Sequence, residues 1–206
     1  MIKIKICGIT NLEDAQLAVE SGADSIGFVF TKSPRRISPL DAGLIIKEIP
    51  LSVDTVGVFV DETLQELDEI IRISHINTIQ LHGLESPEYC SNFKSKVKVI
   101  KTFRVKDKEF LQKMSAYKTD NFLLDTYISG QPGGTGKVFD WNLAATAARK
   151  YPNIILAGGL NPDNICEALN SVKPYGVDVS TGIEACPCKK DPVLLKEFIA
   201  RVRSCP

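Results

Sequence analysis

Met1-Ile2-Lys3-Ile4-Lys5-Ile6-Cys7-Gly8 sets apolar and charged residues in strict alternation. Side chains of a strand point to opposite faces in turn, so this period of two predicts a strand over residues 2–7. Ile2, Ile4 and Ile6 form a face suited to packing under helices, which leaves Lys3, Lys5 and Cys7 pointing inward, with Cys7 at the upper rim.

Outward from that stretch, the same kind of segment keeps returning. Short apolar or alternating runs at 24–30, 54–60, 77–82, 97–103, 121–125, 153–157 and 175–179 read as further strands. Amphipathic stretches near 11–21, 39–49, 63–73, 86–93, 107–117, 140–150, 162–170 and 192–203 read as the helices between and after them. A regular exchange of strand and helix is the mark of βαβ units and a parallel sheet. Eight such pairs in 206 residues leave very short connections, which favours closure into a single (β/α)8 TIM barrel, an α/β fold, over an open doubly wound sheet. The turn after the first strand, Cys7-Gly8-Ile9-Thr10, also lacks the glycine spacing that dinucleotide-binding sheets carry there. Asn161-Pro162 and Asp191-Pro192 each put a capping side chain before a proline at the first helical position. With no repeat, low-complexity tract or linker, residues 1–206 read as one globular domain.

Composition narrows the function classes. Hydrophobic residues make up 44% of the chain, enough for one large core. Lysine plus arginine equals aspartate plus glutamate at 25 each, so there is no global basic field for a nucleic acid or an anionic membrane, and any phosphate must be met locally. No run approaches membrane-spanning length, and the alternating first residues differ from a signal peptide, so a cytoplasmic location is expected. The six cysteines are then expected to be reduced thiols.

In a barrel of this kind the active site forms at the carboxyl ends of the strands. Cys7 ends the first strand, and Lys5, two residues below on the same face, is placed to favour its thiolate. A buried structural thiol is the plainer reading of Cys7 taken alone. Asp125 ends the apolar sixth strand Asn121-Phe122-Leu123-Leu124-Asp125, where it serves either as a loop cap or as a proton donor facing the thiol across the mouth. Turns at Ala157-Gly158-Gly159-Leu160 and Ser180-Thr181-Gly182-Ile183 follow the last two strands, where backbone N–H groups cradle phosphate in barrels that bind phosphorylated substrates. That makes Gly158, Gly159, Thr181 and Gly182 the candidate phosphate site. The segment from Gly130 to Lys137 is long for its position and reads as a lid over Asp125. Arg36 could hold a carboxylate through its planar fork, although loop arginines such as Arg35 and Arg36 are commonly just solvated. His82 and Asp178 complete the inward rim. Two histidines, His75 and His82, from different parts of the fold do not make a metal site. Cys186-Pro187-Cys188 with Cys205 lacks the paired spacing of structural zinc, and these thiols read as incidental.

Eight short motifs in order carry a resemblance. They are Lys5-Ile6-Cys7-Gly8, Gly27-Phe28-Val29-Phe30 with Ser33-Pro34-Arg35, Val56-Gly57-Val58-Phe59, Gln80-Leu81-His82-Gly83, Leu123-Leu124-Asp125, Gly133-Gly134-Thr135-Gly136, Leu156-Ala157-Gly158-Gly159-Leu160, and Asp178-Val179-Ser180-Thr181-Gly182-Ile183-Glu184. From end to end the chain resembles the phosphoribosylanthranilate isomerase family. The resemblance implies an Amadori rearrangement in tryptophan biosynthesis, acting on phosphoribosylanthranilate as its small-molecule substrate, without metal or organic cofactor. It implies Cys7 as general base and Asp125 as general acid. It also implies Arg36 facing the anthranilate carboxylate, Asp178 contacting the sugar hydroxyls, and the two late turns holding the phosphate, with His82 a further substrate-binding candidate on the rim. Thr181 stands where the family commonly has serine, which keeps the hydroxyl and adds a methyl. The competing readings are another phosphosugar isomerase or epimerase, and a non-catalytic phosphate-binding barrel. Monomer and homodimer stay open.

Overall fold

The alternating first stretch forms β1 (Lys3–Cys7), which is followed by β2 (Ser25–Val29), β3 (Asp54–Phe59), β4 (Thr78–Leu81), β5 (Lys98–Val105), β6 (Asn121–Thr126), β7 (Ile154–Leu156) and β8 (Gly176–Val179). The structure is a computed structural model that describes residues 1–126 and 141–205. Among the described residues these eight strands pair in chain order, all parallel, and β8 returns to β1 to close a barrel. Lys5 is level with Ser25 on one side and with Asp178 on the other, so the first and last strands meet in register. The helices α1 (Leu12–Glu20), α2 (Pro39–Lys47), α3 (Leu64–Ser74), α4 (Pro87–Ser91), α5 (Glu109–Met114), α6 (Trp141–Lys150), α7 (Ile165–Val172) and α8 (Pro192–Ser204) complete the (β/α)8 pattern.

The inward and outward faces follow from strand parity. Ile4 and Ile6 are fully buried in the large cluster between strands and helices, where each contributes roughly 1.5–3 kcal/mol by leaving water. Cys7 joins Val29 and Val58 in a separate cluster inside the barrel, above a layer formed by Val56, Ile100, Leu123, Ile155 and Ala157. Lys3, also on the inward face, comes out at the opposite mouth and pairs with Asp24 at 2.8 Å.

Caps explain most helix starts. Asn11, Ser38 and Ser86 accept backbone N–H bonds from the first turns of α1, α2 and α4, and Thr63 with Glu66 forms a reciprocal capping box at α3. Asp191 caps α8 as its sequence predicts, with Pro192 inside the first turn. The other proline signal is corrected: α7 begins at Ile165 rather than at Pro162. The Asn161 side chain is used instead to accept the N–H groups of Asp163 and Asn164 in a tight turn.

Two features depart further from expectation. After β8 a 3-10 turn at Thr181–Ile183 leads into an antiparallel hairpin, β9 (Glu184–Cys186) and β10 (Lys189–Lys190). The expectation of six reduced thiols also fails at one pair, because Cys166 and Cys205 are joined as a disulfide. The reason is packing: α7 lies against α8, which brings the start of one helix beside the end of the other with Cα atoms 5.8 Å apart. Cys205 is therefore structural rather than incidental. Cys7, Cys90, Cys186 and Cys188 remain free.

Candidate active site

At the carboxyl ends of the strands lies a cavity of about 290 Å³ whose wall includes Cys7, Asp125, His82, Asp178, Gly158, Gly159 and Thr181. The thiol arrives from β1. Directly below it the Lys5 ammonium, only 2% exposed, meets Asp178 Oδ1 at 2.8 Å across the β1–β8 seam and also hydrogen-bonds the Cys7 sulfur. This crowding requires glycine on the neighbouring strand, since a β-carbon at Gly27 would sit 3.0 Å from both Cys7 Sγ and Lys5 Nζ.

The expectation that Lys5 leaves Cys7 with a lowered pKa is corrected. Burial pushes the thiol up, and although Lys5 pulls it down, Asp178 pushes it up again, so it ends above the ordinary thiol range. Lys5 itself loses through burial but gains more from Asp178 and Cys7, and it holds its proton more tightly than a free lysine. Much of its charge is therefore already matched by the carboxylate, which is why it does not ionise the thiol outright.

The carboxyl group arrives from β6, on the far wall. His82, at the end of β4, brings Nε2 to 3.3 Å from Asp125 Oδ2. The loop carrying His82 is fastened from below by a buried pair, Lys101 and Glu85 at 2.6 Å, whose lysine also donates to the carbonyls of Leu81 and Gly83. Arg104 of β5, level with Asp125, lines the same cavity.

Between the strands that carry the thiol and the carboxyl group lie the turns after β7 and β8. Gly158 and Gly159 both have positive φ, 90° and 66°, a conformation that disfavours a side chain. Asn164 Nδ2 donates to the Gly159 carbonyl at 2.9 Å and pins this turn. A β-carbon at Gly182 would collide with the carbonyl oxygen of Leu160, so the turns after β7 and β8 are in contact. Gly182 makes that approach possible but does not itself line the cavity, whereas Ser180 and Thr181 do.

Arg36 is not brought to the cavity. It is exposed, and its Nε donates to the Phe30 carbonyl at 3.1 Å. The arginine at the mouth is Arg35, held through Nε and Nη2 by Glu184 at 2.8 and 2.5 Å. The sequence reading missed Arg35, Arg104, Glu184 and Lys190. Only Arg35 and Glu184 carried a signal, through the motifs that contain them. The glycine-rich segment from Gly130 to Lys137, read as a lid, lies outside the described residues. Among the described residues no group of three or more histidine, cysteine, aspartate or glutamate side chains could hold a metal ion, and no helix is long and apolar enough to cross a membrane.

Fold and site together define a class: a barrel enzyme with a thiol and a carboxyl group on facing walls of one cavity, suited to moving protons on a small molecule. Residues 4–201 match the family model described as N-(5'phosphoribosyl)anthranilate (PRA) isomerase. The chain is 50% identical over 200 residues to the N-(5'-phosphoribosyl)anthranilate isomerase of Pelobacter propionicus, covering 97% of this chain and 94% of that one. It is similar to the crystal structure of the phosphoribosyl anthranilate isomerase of Thermotoga maritima, with 43% identity, a TM-score of 0.93, and 98% and 99% of the two chains covered. A crystal structure of a phosphoribosyl anthranilate isomerase in complex with reduced 1-(o-carboxyphenylamino)-1-deoxyribulose 5-phosphate matches with 42% identity, a TM-score of 0.89 and the same coverage. The chain belongs to the N-(5'-phosphoribosyl)anthranilate isomerase family, the intramolecular oxidoreductases that isomerise this compound in tryptophan biosynthesis.

Proposed function

We propose that this cavity converts N-(5'-phosphoribosyl)anthranilate into 1-(2-carboxyphenylamino)-1-deoxyribulose 5-phosphate with Asp125 as general acid and Cys7 as general base. Asp125 gives a proton to the furanose ring oxygen while the bond from that oxygen to C1 breaks, and the anilino nitrogen supplies electrons to form a protonated Schiff base. The cationic nitrogen acidifies the proton on C2 and favours the thiolate nearby, which offsets the burial that holds Cys7 up. Cys7 then removes the C2 proton, giving an enolamine, and delivery of a proton to C1 with loss of the C2 hydroxyl proton yields the ketone.

The remaining residues bind. Backbone N–H groups of the turns at Gly158, Gly159, Thr181 and Gly182 take the phosphate, and His82 and Asp178 face the sugar. Arg35 takes the anthranilate carboxylate, a role moved from Arg36 because Arg35 lines the cavity. Residues 1–206 act as one catalytic unit, in the cytoplasm. The observation that carries this reading is that Cys7 and Asp125 share one cavity with the two glycine turns.

The test is to add the purified chain to freshly made phosphoribosylanthranilate and follow the loss of its aminobenzoate fluorescence. Cys7→Ala and Asp125→Asn are each expected to lower kcat by about 10²–10⁴ with the fold intact by circular dichroism. Full activity in either variant refutes its assigned role. The relative from Thermotoga maritima is described as dimeric, and light scattering on this chain reads whether it too self-associates.

A further inference from the structure

Behind the cavity wall Lys190 and Glu184, which the reaction above does not use, form a connected series with Arg35. Lys190 of β10 has a side chain with 0% exposure. Its ammonium donates to the Cys7 carbonyl at 2.6 Å, to the Ser180 carbonyl at 3.3 Å and to Glu184 Oε1 at 3.0 Å. Lysine is almost never buried this deeply unless its charge is matched and its protons are accepted, and here each of three protons has an acceptor. The acceptors are specific. One carbonyl belongs to the residue that carries the thiol, the other begins the turn after β8, and the carboxylate is the one that grips Arg35.

The contacts around this series are tight. A β-carbon at Gly8 would lie 2.6 Å from Arg35 Cδ and 3.1 Å from Ser180 Oγ, so Arg35 rests directly on the backbone that follows Cys7. The hairpin itself is anchored from outside, where the Lys190 N–H donates to Asp14 Oδ2 at 2.9 Å.

We propose that Lys190 and Glu184 are positioning residues, Lys190 fixing the Cys7 end of β1 against the β8 turn and Glu184 aiming Arg35 so that its remaining Nη1 meets the substrate carboxylate. The proposal rests on the roles given above to Cys7 and Arg35. It ties base, phosphate turn and carboxylate anchor to one electrostatic frame rather than to three independent loops. The charged groups that face Cys7 are Lys5 from β1, Asp178 from β8, Lys190 from β10 and Arg35 from the loop after β2. Burial and Asp178 push the thiol up, while Lys5 and Lys190 pull it down, so loss of Lys190 moves its ionisation to higher pH.

The experiment compares Glu184→Gln, Lys190→Met and the double variant. It measures kcat and KM on phosphoribosylanthranilate, and the pH dependence of iodoacetamide labelling of the Cys7 peptide by mass spectrometry. Glu184→Gln is expected to raise KM about ten-fold with kcat within about two-fold, since it weakens a charge-assisted fork without touching the base. Lys190→Met is expected to lower kcat at least about ten-fold and to shift Cys7 labelling to higher pH, with the kcat of the double variant no lower than that of Lys190→Met alone. A purely structural pair would lower the melting temperature and leave kcat, KM and the labelling curve of the folded protein unchanged, which overturns the proposal. Should Lys190→Met fail to fold, an unchanged KM in Glu184→Gln overturns it alone. An unmodified chain that consumes no substrate would instead refute the reaction, and the labelling curves would still decide whether the frame acts on Cys7.

Discussion

At the scale of the residue, the site is a contest between burial and charge. Cys7 sits above the ordinary thiol range because burial outweighs the pull of Lys5, whose own charge is shared with Asp178. A base acts only when deprotonated, so kcat/KM is expected to rise with pH through a value above that of a free thiol, and to fall away below it. Lys5→Met removes a group that pulls the thiol down and leaves Asp178 pushing it up, which moves that limb to still higher pH. Stopped-flow rates from pH 6 to 10 check the sign, and a limb that stays where it was or moves to lower pH excludes coupling between Lys5 and Cys7. The two adjacent arginines give a second contrast. Arg35→Met is expected to raise KM by about 10–100-fold, the worth of a charge-assisted bond, while exposed Arg36→Met leaves KM within about two-fold. Equal effects in the two variants would contradict the placement of the carboxylate anchor.

At the scale of the element, legibility follows periodicity. All eight barrel strands can be read from the sequence because a two-residue alternation or an apolar run of strand length leaves a mark that no loop imitates. Parity then puts Cys7, Asp125 and Asp178 on the inner face without further help. Irregular backbone leaves no such mark. The hairpin of β9 and β10 is too short and polar to stand out, and nothing in Lys189-Lys190-Asp191-Pro192 says that one lysine is half-buried and the next enclosed. The choice between Arg35 and Arg36 fails for the same reason, since a loop has no period to assign a direction. The Asn161-Pro162 signal misleads because a turn and a helix start use the same asparagine chemistry. Glycine pairs are legible as turns, but their mutual contact is not. Gly182→Ala would drive the turns after β7 and β8 apart, with an expected loss of about 1–3 kcal/mol in a urea melt and a raised KM. Unchanged stability and KM would show that the turns do not depend on each other.

For the whole molecule, closure of the barrel is the decisive event, and its far mouth carries its own fastening. Asp24 accepts from Lys3 Nζ at 2.8 Å, from the Ile4 N–H at 2.9 Å and from Arg203 Nη2 at 2.8 Å, which links β1, the start of β2 and α8. Burial works against its charge, yet these partners win and hold its carboxyl below the ordinary aspartate range. A depressed folded-state value adds stability above the unfolded value and loses it as pH falls through the folded one. Asp24→Asn is therefore expected to cost about 1–2 kcal/mol in urea unfolding at pH 7, with the gap shrinking toward pH 3. A pH-independent gap would assign the effect to shape rather than charge. The seam where Lys5 of the first strand grips Asp178 of the last also fixes a timetable for biosynthesis. A ribosome exposes Cys7 long before Asp178 on β8 emerges, so the enzyme has no working pocket at any stage of translation until the last barrel strand has left the tunnel.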